Sequence, residues 1–308
     1  MNLQQLRIIR EAVRRDLNLT EVGLALATSQ SGVSKHIKEL EAELGVSLFV
    51  RRGKRLTDIT EPGRRILPFV ERILVDVGNI RRSVEELRGE QGGQLAMATT
   101  HTQALYVLPP IIAAFRRTCP LVRLVLHQAR PADIVAMVRD GRADIGIATE
   151  GVASDETLAT FPFHRWHHTV ICAPGHRLAG KAEISLADLA TEPLITYQRG
   201  HTGRQAIDAA FADAGLNPDI VLEAIDSDVI KTYVALGMGL GIIAQLAFDP
   251  VRDTGLVDLS GSSLFAESTS FLAVRRGHFL RAFAIRFLQA CVPELHENVI
   301  LQAVDAID

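Results

Sequence analysis

The sequence predicts an α/β protein in three parts: an N-terminal winged helix-turn-helix, a long linker helix, and a larger body of alternating strands and helices. Three observations carry that prediction. Residues 20–55 hold a capped helix with one apolar and one polar face, followed by a basic tip. Residues 60–88 repeat apolar side chains at 4-3 spacing. After a glycine-rich break at 89–93, short apolar runs alternate with helical stretches through the rest of the chain. At 308 residues the chain is long for one domain, so two or three units are expected.

The head begins with a short helical run, Thr20–Ala27, that meets the polar turn Thr28-Ser29-Gln30. A second helix carries Val33, Ile37, Leu40 and Leu44 on one stripe. Ser29 caps it, because its hydroxyl accepts from an otherwise unpaired N–H one turn on, and Gly45 ends it in the left-handed stop. The opposite face presents Gln30, Ser31, Ser34, Lys35 and Lys38, with no bulky hydrophobe among them. Val46-Ser47-Leu48-Phe49 then alternates like a strand before the basic tip Arg51-Arg52-Gly53-Lys54-Arg55. A helix for the major groove and a wing for phosphates have this layout. An isolated amphipathic helix with a solvated charged face is the bland alternative; the cap, polar face and basic tip occurring together argue against it. The candidate DNA contacts are Ser29, Gln30, Ser31, Ser34, Lys35, Lys38, Arg51, Arg52 and Lys54, with the cations on phosphates and Gln30, Ser31 and Ser34 on bases.

From Thr60 to Arg88 the pattern is one helix, with Thr60 as cap and Pro62 in the first turn, where its missing N–H costs little. Ile66, Val70, Ile73, Val77, Ile80, Val84 and Leu87 form an a/d seam, so the helix is expected to pair with a second copy of itself, the alternative being a helix packed on its own domain. Pro68 is expected to kink it. Two heads so joined would read half-sites about 34–36 Å apart or a multiple of that. Gly89-Glu90-Gln91-Gly92-Gly93 reads as a hinge.

In the body, Leu95–Ala98, Val122–His127 and Ala143–Thr149 read as strands, with helices running to Arg117 and from Pro131 to near Gly141. This order implies a mostly parallel sheet covered by helices. A second set follows: strands at Trp166–Ala173, Leu194–Thr196, Ile220–Ala224 and Gly239–Ala244, with helices near Gly203–Ala214 and from Asp228. Ligands of open α/β sheets sit beyond the carboxyl ends of strands, often against helix N-termini. Thr99-Thr100-His101-Thr102-Gln103, Thr149-Glu150 and Gly200-His201-Thr202-Gly203-Arg204 occupy such places. Their hydroxyls, amide and backbone N–H groups suit a small anion; taken singly, each is as well explained as a helix cap.

Composition narrows the class. Apolar content of 47% with 22% charged residues describes a well-cored globular chain. No signal peptide and no membrane-length apolar run is visible, so a cytoplasmic protein without a membrane partner is expected. Cys119, Cys172 and Cys291 form no CxxC pair, which fits a reducing compartment and buried thiols. The net charge of −3 divides into a small basic excess before residue 90 and an acidic excess after it. His164-Arg165-Trp166-His167-His168 suggests a metal sensor as the rival class, but in a strand His167 and His168 point to opposite faces. No HExxH, CxxC or nucleophile–base set supports metal binding or catalysis. Gly237-Met238-Gly239-Leu240-Gly241 precedes an apolar strand rather than following one, so it fails as a dinucleotide loop. No cofactor, no metal and no enzyme activity are expected.

The head resembles the LysR-type transcriptional regulators. The shared elements are Leu26-Ala27-Thr28-Ser29-Gln30, Val33-Ser34, Leu40-Glu41-Ala42-Glu43-Leu44-Gly45 and Leu48-Phe49-Val50-Arg51, in the family's order and spacing. Ser31 stands where the family has proline, and Val22-Gly23 where it has a small pair dominated by alanine. The resemblance implies a homo-oligomer, a dimer through the linker helix that packs into a tetramer, with promoter DNA and RNA polymerase as partners. It also implies a two-lobed, periplasmic-binding-protein-like effector domain crossed twice by the chain, near 164–168 and 264–270. The expected division is therefore 1–60 head, 61–88 linker helix, 89–93 hinge and 94–308 body. Lobe I would take 94–165 and 268–308, including the C-terminal helices from His278, and lobe II 166–267.

Within that family, ATTHTQA (98–104), IATE (147–150), Trp166, TGR (202–204) and DVIKTYVALGMGLGIIA (228–244) are similar to the CysB-like branch, regulators of sulfur assimilation and cysteine biosynthesis. That likeness implies a cleft for acetylserine, sulfate or a related sulfur compound, lined by Thr100, Thr102, Gln103, Thr149, Trp166 and Thr202. His201 replaces an aromatic usual in the branch. Regulation of alkanesulfonate or sulfate-starvation genes, or of an unrelated small-carboxylate pathway, is therefore an alternative.

Overall fold

In the computed structural model of the chain, the described residues are 1–306 without 54, 88–91, 150 and 202, and without the side chains of 85–87 and 262. The chain divides into two units, Met1–Arg88 and Gly89–Asp308. The hinge positions 89–91 lie outside the described residues.

The first unit opens with α1 (Leu3–Arg14), which the sequence reading passed over. Asn2 caps it in a reciprocal box with Gln5. Asn18 caps α2 (Leu19–Ala25), and Ser29 caps α3 (Gln30–Leu44) by accepting from the Gly32 N–H at 3.1 Å. Gly45 ends α3 in the left-handed conformation, φ 70°. The turn between α2 and α3 is tight. A Cβ at Gly23 would lie 2.8 Å from the Thr28 carbonyl oxygen, so the departure to glycine at this position suits the turn. Strands β1 (Phe49–Arg52) and β2 (Arg55–Ile59) form the antiparallel wing.

Helix α4 (Glu61–Leu87) contains Pro68 in its interior, and Thr60 caps it by accepting from the Gly63 N–H. Its seam is not uniform, which corrects the expectation of one continuous dimer stripe. Val70 and Leu74 are buried in the core of this unit beside Leu6, Ile9, Val33, Ile37 and Leu40, with Ile66 and Leu67 packed against them. The first heptad therefore covers its own head. Ile73, Ile80 and Val84 remain exposed.

The second unit contains two five-stranded sheets. The first uses β3 (Gly93–Thr99), β4 (Val122–Gln128), β5 (Ile145–Ala148), β6 (Leu158–Trp166) and β12 (Ser268–Arg275) in the order β4-β3-β5-β12-β6. The second uses β7 (His168–Cys172), β8 (Pro193–Tyr197), β9 (Asp219–Ala224), β10 (Leu240–Ala244) and β11 (Val257–Asp258) in the order β11-β7-β10-β8-β9. Helices α5 (Leu108–Thr118), α6 (Pro131–Arg139), α7 (Leu186–Ala190), α8 (Arg204–Asp213) and α9 (Ser227–Ala235) connect strands within the sheets. Helices α10 (Ala282–Cys291) and α11 (Glu297–Asp305) bury Phe287, Leu288 and Ile300 against Leu95 and Met97 of the first sheet.

Two differences from the sequence reading follow from the crossings. The sheets are mixed rather than mostly parallel. β3 pairs in parallel with β4 and β5, but β12 is antiparallel to both β5 and β6, and β7 to both β10 and β11. The expected strand Trp166–Ala173 is also two strands, since β6 ends at Trp166 in one sheet and β7 opens at His168 in the other. β6 itself was missed because Pro162 interrupts it. Proline cannot donate to a ladder and is tolerated at bulges. The β6–β12 register indeed shifts there, pairing Phe271 with Pro162 but Ser270 with His164.

Candidate functional site

The first unit carries a polar face on α3. Gln30, Ser31, Lys35 and Lys38 are exposed and Ser34 half-buried. The Ser29 hydroxyl is taken up by the cap and lies 3.0 Å from that of Ser31. Lys35 is 74% exposed, with Glu39 one turn away at 3.8 Å. Arg51 is placed differently from the expectation of a free wing cation. Its Nη2 donates to Glu41 Oε2 at 3.0 Å, while Oε1 of Glu41 accepts from the Leu48 and Phe49 N–H groups at 2.8 and 3.2 Å. One half-buried carboxylate thus ties the wing to α3. Arg52 is exposed, and Lys54 lies outside the described residues.

The second unit gathers a buried polar cluster from segments far apart in sequence. β3 delivers Thr99, and the chain then passes through Thr100 and Thr102 into a π-helical turn, Gln103–Val107. This turn precedes Pro109 and Pro110, which lack N–H groups and open α5. Thr99, Thr100, Thr102 and Gln103 are all 5% exposed or less. Ser270 on β12, fully buried, links the last of these to residues from other strands. Its hydroxyl accepts from Gln103 Nε2 at 2.7 Å and from Trp166 Nε1 at 3.1 Å, and lies 3.2 Å from the Thr149 hydroxyl. The bulge beside Pro162 adjoins Ser270, as bulges commonly adjoin functional sites. Sequence reasoning missed Ser270, since nothing in Ser268-Thr269-Ser270 marks one hydroxyl above its neighbours.

Gln103, Thr149 and Trp166 are therefore brought together, with Thr100 in the same buried segment as Gln103. Thr102 joins them from the side of Tyr197, whose ionisation is pushed up by burial against the easing effect of hydrogen bonds from Ser227, Ala244 and Thr102. Thr202 and Glu150 lie outside the described residues. Among the described residues, the hydroxyls of Thr99 and Thr100 and Oε1 of Gln103 are buried without a hydrogen-bond partner. Buried polar groups are nearly always paired, and each orphan costs about 1–3 kcal/mol. A small polar ligand with its own donors and acceptors fits this set.

Arg204 of the Thr-Gly-Arg turn is not a ligand cation. It is 2% exposed and bound to Asp208 at 2.7 Å and Glu223 at 2.6 Å. His201 lines an open cavity of about 260 Å³ together with Arg199, Gly200 and Gln205. The histidine run does not form a metal pair: His167 faces Glu267 at 3.6 Å, while His168 is fully buried.

The sheets are also tied across the cleft. His101 Nε2 lies 3.2 Å from Asp228 Oδ2 at the start of α9, and Tyr106 donates to Oδ1 of the same carboxylate at 2.7 Å. Lys231 donates to Tyr106 at 2.9 Å and pairs with Asp253 at 3.1 Å. Burial alone would lower the His101 pKa, but its hydrogen bonds to Gln128 and Asp228 raise it overall. Tyr106 is pushed up to about 12, chiefly by burial. His101, Asp226 and Asp228 bring ligand atoms within 4.8 Å of one another, the arrangement among the described residues closest to a metal set.

A helix-turn-helix head with a polar recognition face, joined in one chain to a two-sheet body with a buried polar cleft, defines a ligand-responsive DNA-binding regulator. Comparison with known proteins agrees. Residues 3–64 match the bacterial regulatory helix-turn-helix protein of the lysR family, and residues 88–295 match the LysR substrate binding domain. The chain belongs to the LysR family of transcriptional regulators. It is 52% identical to the transcriptional regulator SsuR of Burkholderia cenocepacia, covering 96% of each chain. It is 48% identical to the regulator cbl of Escherichia coli, covering 100% of this chain and 99% of that one. With CysB of B. cenocepacia it shares 46% identity, covering 99% and 97%. The crystal structure of the cofactor-binding domain of the Cbl transcriptional regulator superposes with a TM-score of 0.68 at 44% identity, covering 70% of this chain and 94% of that one.

Proposed function

We propose that this regulator controls genes of sulfur assimilation or cysteine biosynthesis in response to a small anionic effector held between the two sheets of the second unit. The observation that carries this reading is the set of buried, unpartnered oxygens at Thr99, Thr100 and Gln103, in the segment that Gln103 joins to Ser270 and Trp166. The likeness to SsuR, cbl and CysB supports the sulfur assignment. Thr100, Thr102, Gln103, Thr149, Trp166 and Thr202 are the effector contacts of this reading. The Thr99 and Thr100 hydroxyls can donate to an anion without a buried counter-cation, which would carry its own desolvation cost, while Gln103 Oε1 accepts from a donor on the effector.

On the DNA side, Lys35, Lys38, Arg52 and Lys54 contact phosphates, and Gln30, Ser31 and Ser34 read bases. Ser29 supports the helix start. The exposed part of the α4 seam, Ile73, Ile80 and Val84, pairs with a second copy, and dimers pack into a tetramer on promoter DNA, where RNA polymerase is met. Effector binding shifts the arrangement of the two sheets, and does so only to the extent that it favours one arrangement over another. The protein acts as a cytoplasmic regulator without catalysis; among the described residues no helix is long and apolar enough to cross a membrane.

A second reading, control of alkanesulfonate or sulfate-starvation genes, is favoured by His201 in place of the branch's aromatic. Calorimetric titration of the full chain with O-acetylserine, N-acetylserine, sulfate and ethanesulfonate separates the two. Saturable binding of an acetylserine supports the first reading and of the sulfonate the second. Binding of none removes the sulfur assignment.

A further inference from the structure

His168 is fully buried at the start of β7, one residue beyond the crossing from the first sheet. Its backbone pairs with Ala244, so the strand is satisfied, yet neither ring nitrogen has a hydrogen-bond partner among the described residues. A structural histidine buried in a core normally donates one N–H to a carbonyl or carboxylate. Burial, with a smaller push from His167, pulls the pKa to about 4, so at neutral pH the ring carries one N–H and one lone-pair nitrogen.

The surroundings place this ring in the cleft wall. It packs edge-on against Trp166, with centroids 4.9 Å apart, and lies 6.5 Å from Tyr197. Trp166 bonds to Ser270 beside Gln103 and Thr149, while Tyr197 bonds to Ser227 and the Ala244 N–H and reaches Thr102. His168 thus bridges the two aromatic residues that flank the polar cluster. The chain also makes room for it. A Cβ at Gly203 would stand 2.2 Å from its Nε2, so glycine at the entry to α8 is required for the ring to sit there.

We propose that His168 is a further effector contact and a determinant of specificity: its lone-pair ring nitrogen accepts a hydrogen bond from a donor on the effector. The effector class this selects carries a hydrogen-bond donor, such as an amide N–H or hydroxyl, beside its anionic group. A pure oxyanion offers acceptors only and leaves the lone-pair nitrogen unmet. This inference rests on the cleft being the effector site and deepens that reading.

The test titrates the full chain with N-acetylserine, which has a carboxylate, an amide N–H and a hydroxyl, and with sulfate. Wild type is compared with His168→Phe, His168→Asn and Thr100→Val. In His168→Phe, N-acetylserine affinity is expected to fall about tenfold or more, and sulfate affinity by less than about threefold. His168→Asn, which keeps a donor and an acceptor, is expected to recover most of the loss. Unchanged N-acetylserine affinity in His168→Phe, with the loss intact in Thr100→Val, overturns the role of His168 alone. Equal weakening of both probes assigns the ring a packing role and also overturns it. Binding of neither probe to wild type overturns this inference, and the sulfur-effector reading falls with it only if O-acetylserine and ethanesulfonate also fail to bind. Should His168→Phe fail to fold, ¹⁵N resonances of the wild-type ring decide. A shift of a ring nitrogen on adding N-acetylserine supports the contact, and no shift contradicts it.

Discussion

The polar face of α3 and the polar cluster of the cleft draw on the same side-chain chemistry, hydroxyls and amides, under opposite conditions. Gln30, Ser31 and Lys35 stand in water, where an unused donor loses nothing. Thr99, Thr100 and Gln103 are buried, where an unused oxygen is costly. Affinity for DNA on the first surface comes from charge and is weakened by salt. With the effector in the cleft as proposed, affinity there would include relief of groups left unpaired in the free protein and would depend little on screening. Selectivity differs as well, because a site with buried donors rejects ligands that leave them unmet.

The largest expected effect sharpens this contrast by showing that even the exposed face has a half-buried support. Glu41→Gln replaces the carboxylate that accepts from Leu48 N–H, Phe49 N–H and Arg51. It is expected to destabilise the first unit by about 2–4 kcal/mol, read by chemical denaturation of the full chain. A change under about 0.5 kcal/mol would show that the wing does not depend on this tie.

Next is Thr100→Val. Removing an already orphaned hydroxyl is expected to leave stability unchanged or slightly raised, while effector affinity falls by about 1–3 kcal/mol. Loss of stability with intact affinity would reverse the account of this residue. Lys35→Ala is expected to weaken promoter binding and reduce the slope of log affinity against log salt by about 1, with effector binding unaltered. A matched loss of both would contradict separate roles for the two units.

The smallest expected effect concerns the tie across the cleft. Because the His101 pKa is raised in the folded state, its contribution is fully present below its ordinary value of 6.5 and lost as pH rises through the raised value. Asp228 is depressed by Tyr106, His101 and Lys231 against the opposing effect of burial, so its share is present above its ordinary value of 3.8 and lost in acid. The stability difference between wild type and Asp228→Asn should therefore be widest between those limits and narrow on the alkaline side. A difference independent of pH from 5 to about 9 would remove His101 from the tie.

What was legible in the sequence was local. Ser29, Gly45 and Thr60 act as caps and stops because those roles depend on a few neighbouring residues. The cap of α1 is equally local, Asn2 with Gln5 three positions on, and that signature could have found the helix. Thr100, Gln103 and Thr149 could be singled out as candidates because they stand at or just beyond strand ends of an α/β body. Ser270 could not, because its position comes from β12 pairing with β5 and β6 across more than a hundred residues. The 4-3 spacing of α4 was read correctly as helical, but a stripe does not state what covers it. The fold places Val70 in the core of the head and leaves Ile80 in the open. Likewise Arg51 looked like one more wing cation until the fold brought Glu41 to it.

Trp166 is the sole tryptophan of the chain and bonds directly to Ser270 in the cleft. Its fluorescence is therefore the most direct test of where the effector sits. Titration of the full chain with whichever ligand binds by calorimetry is predicted to change Trp166 emission, with the same midpoint as the heat signal, and Thr100→Val to shift both together. Heat of binding with no change in Trp166 emission would place the effector outside this cleft and contradict the account.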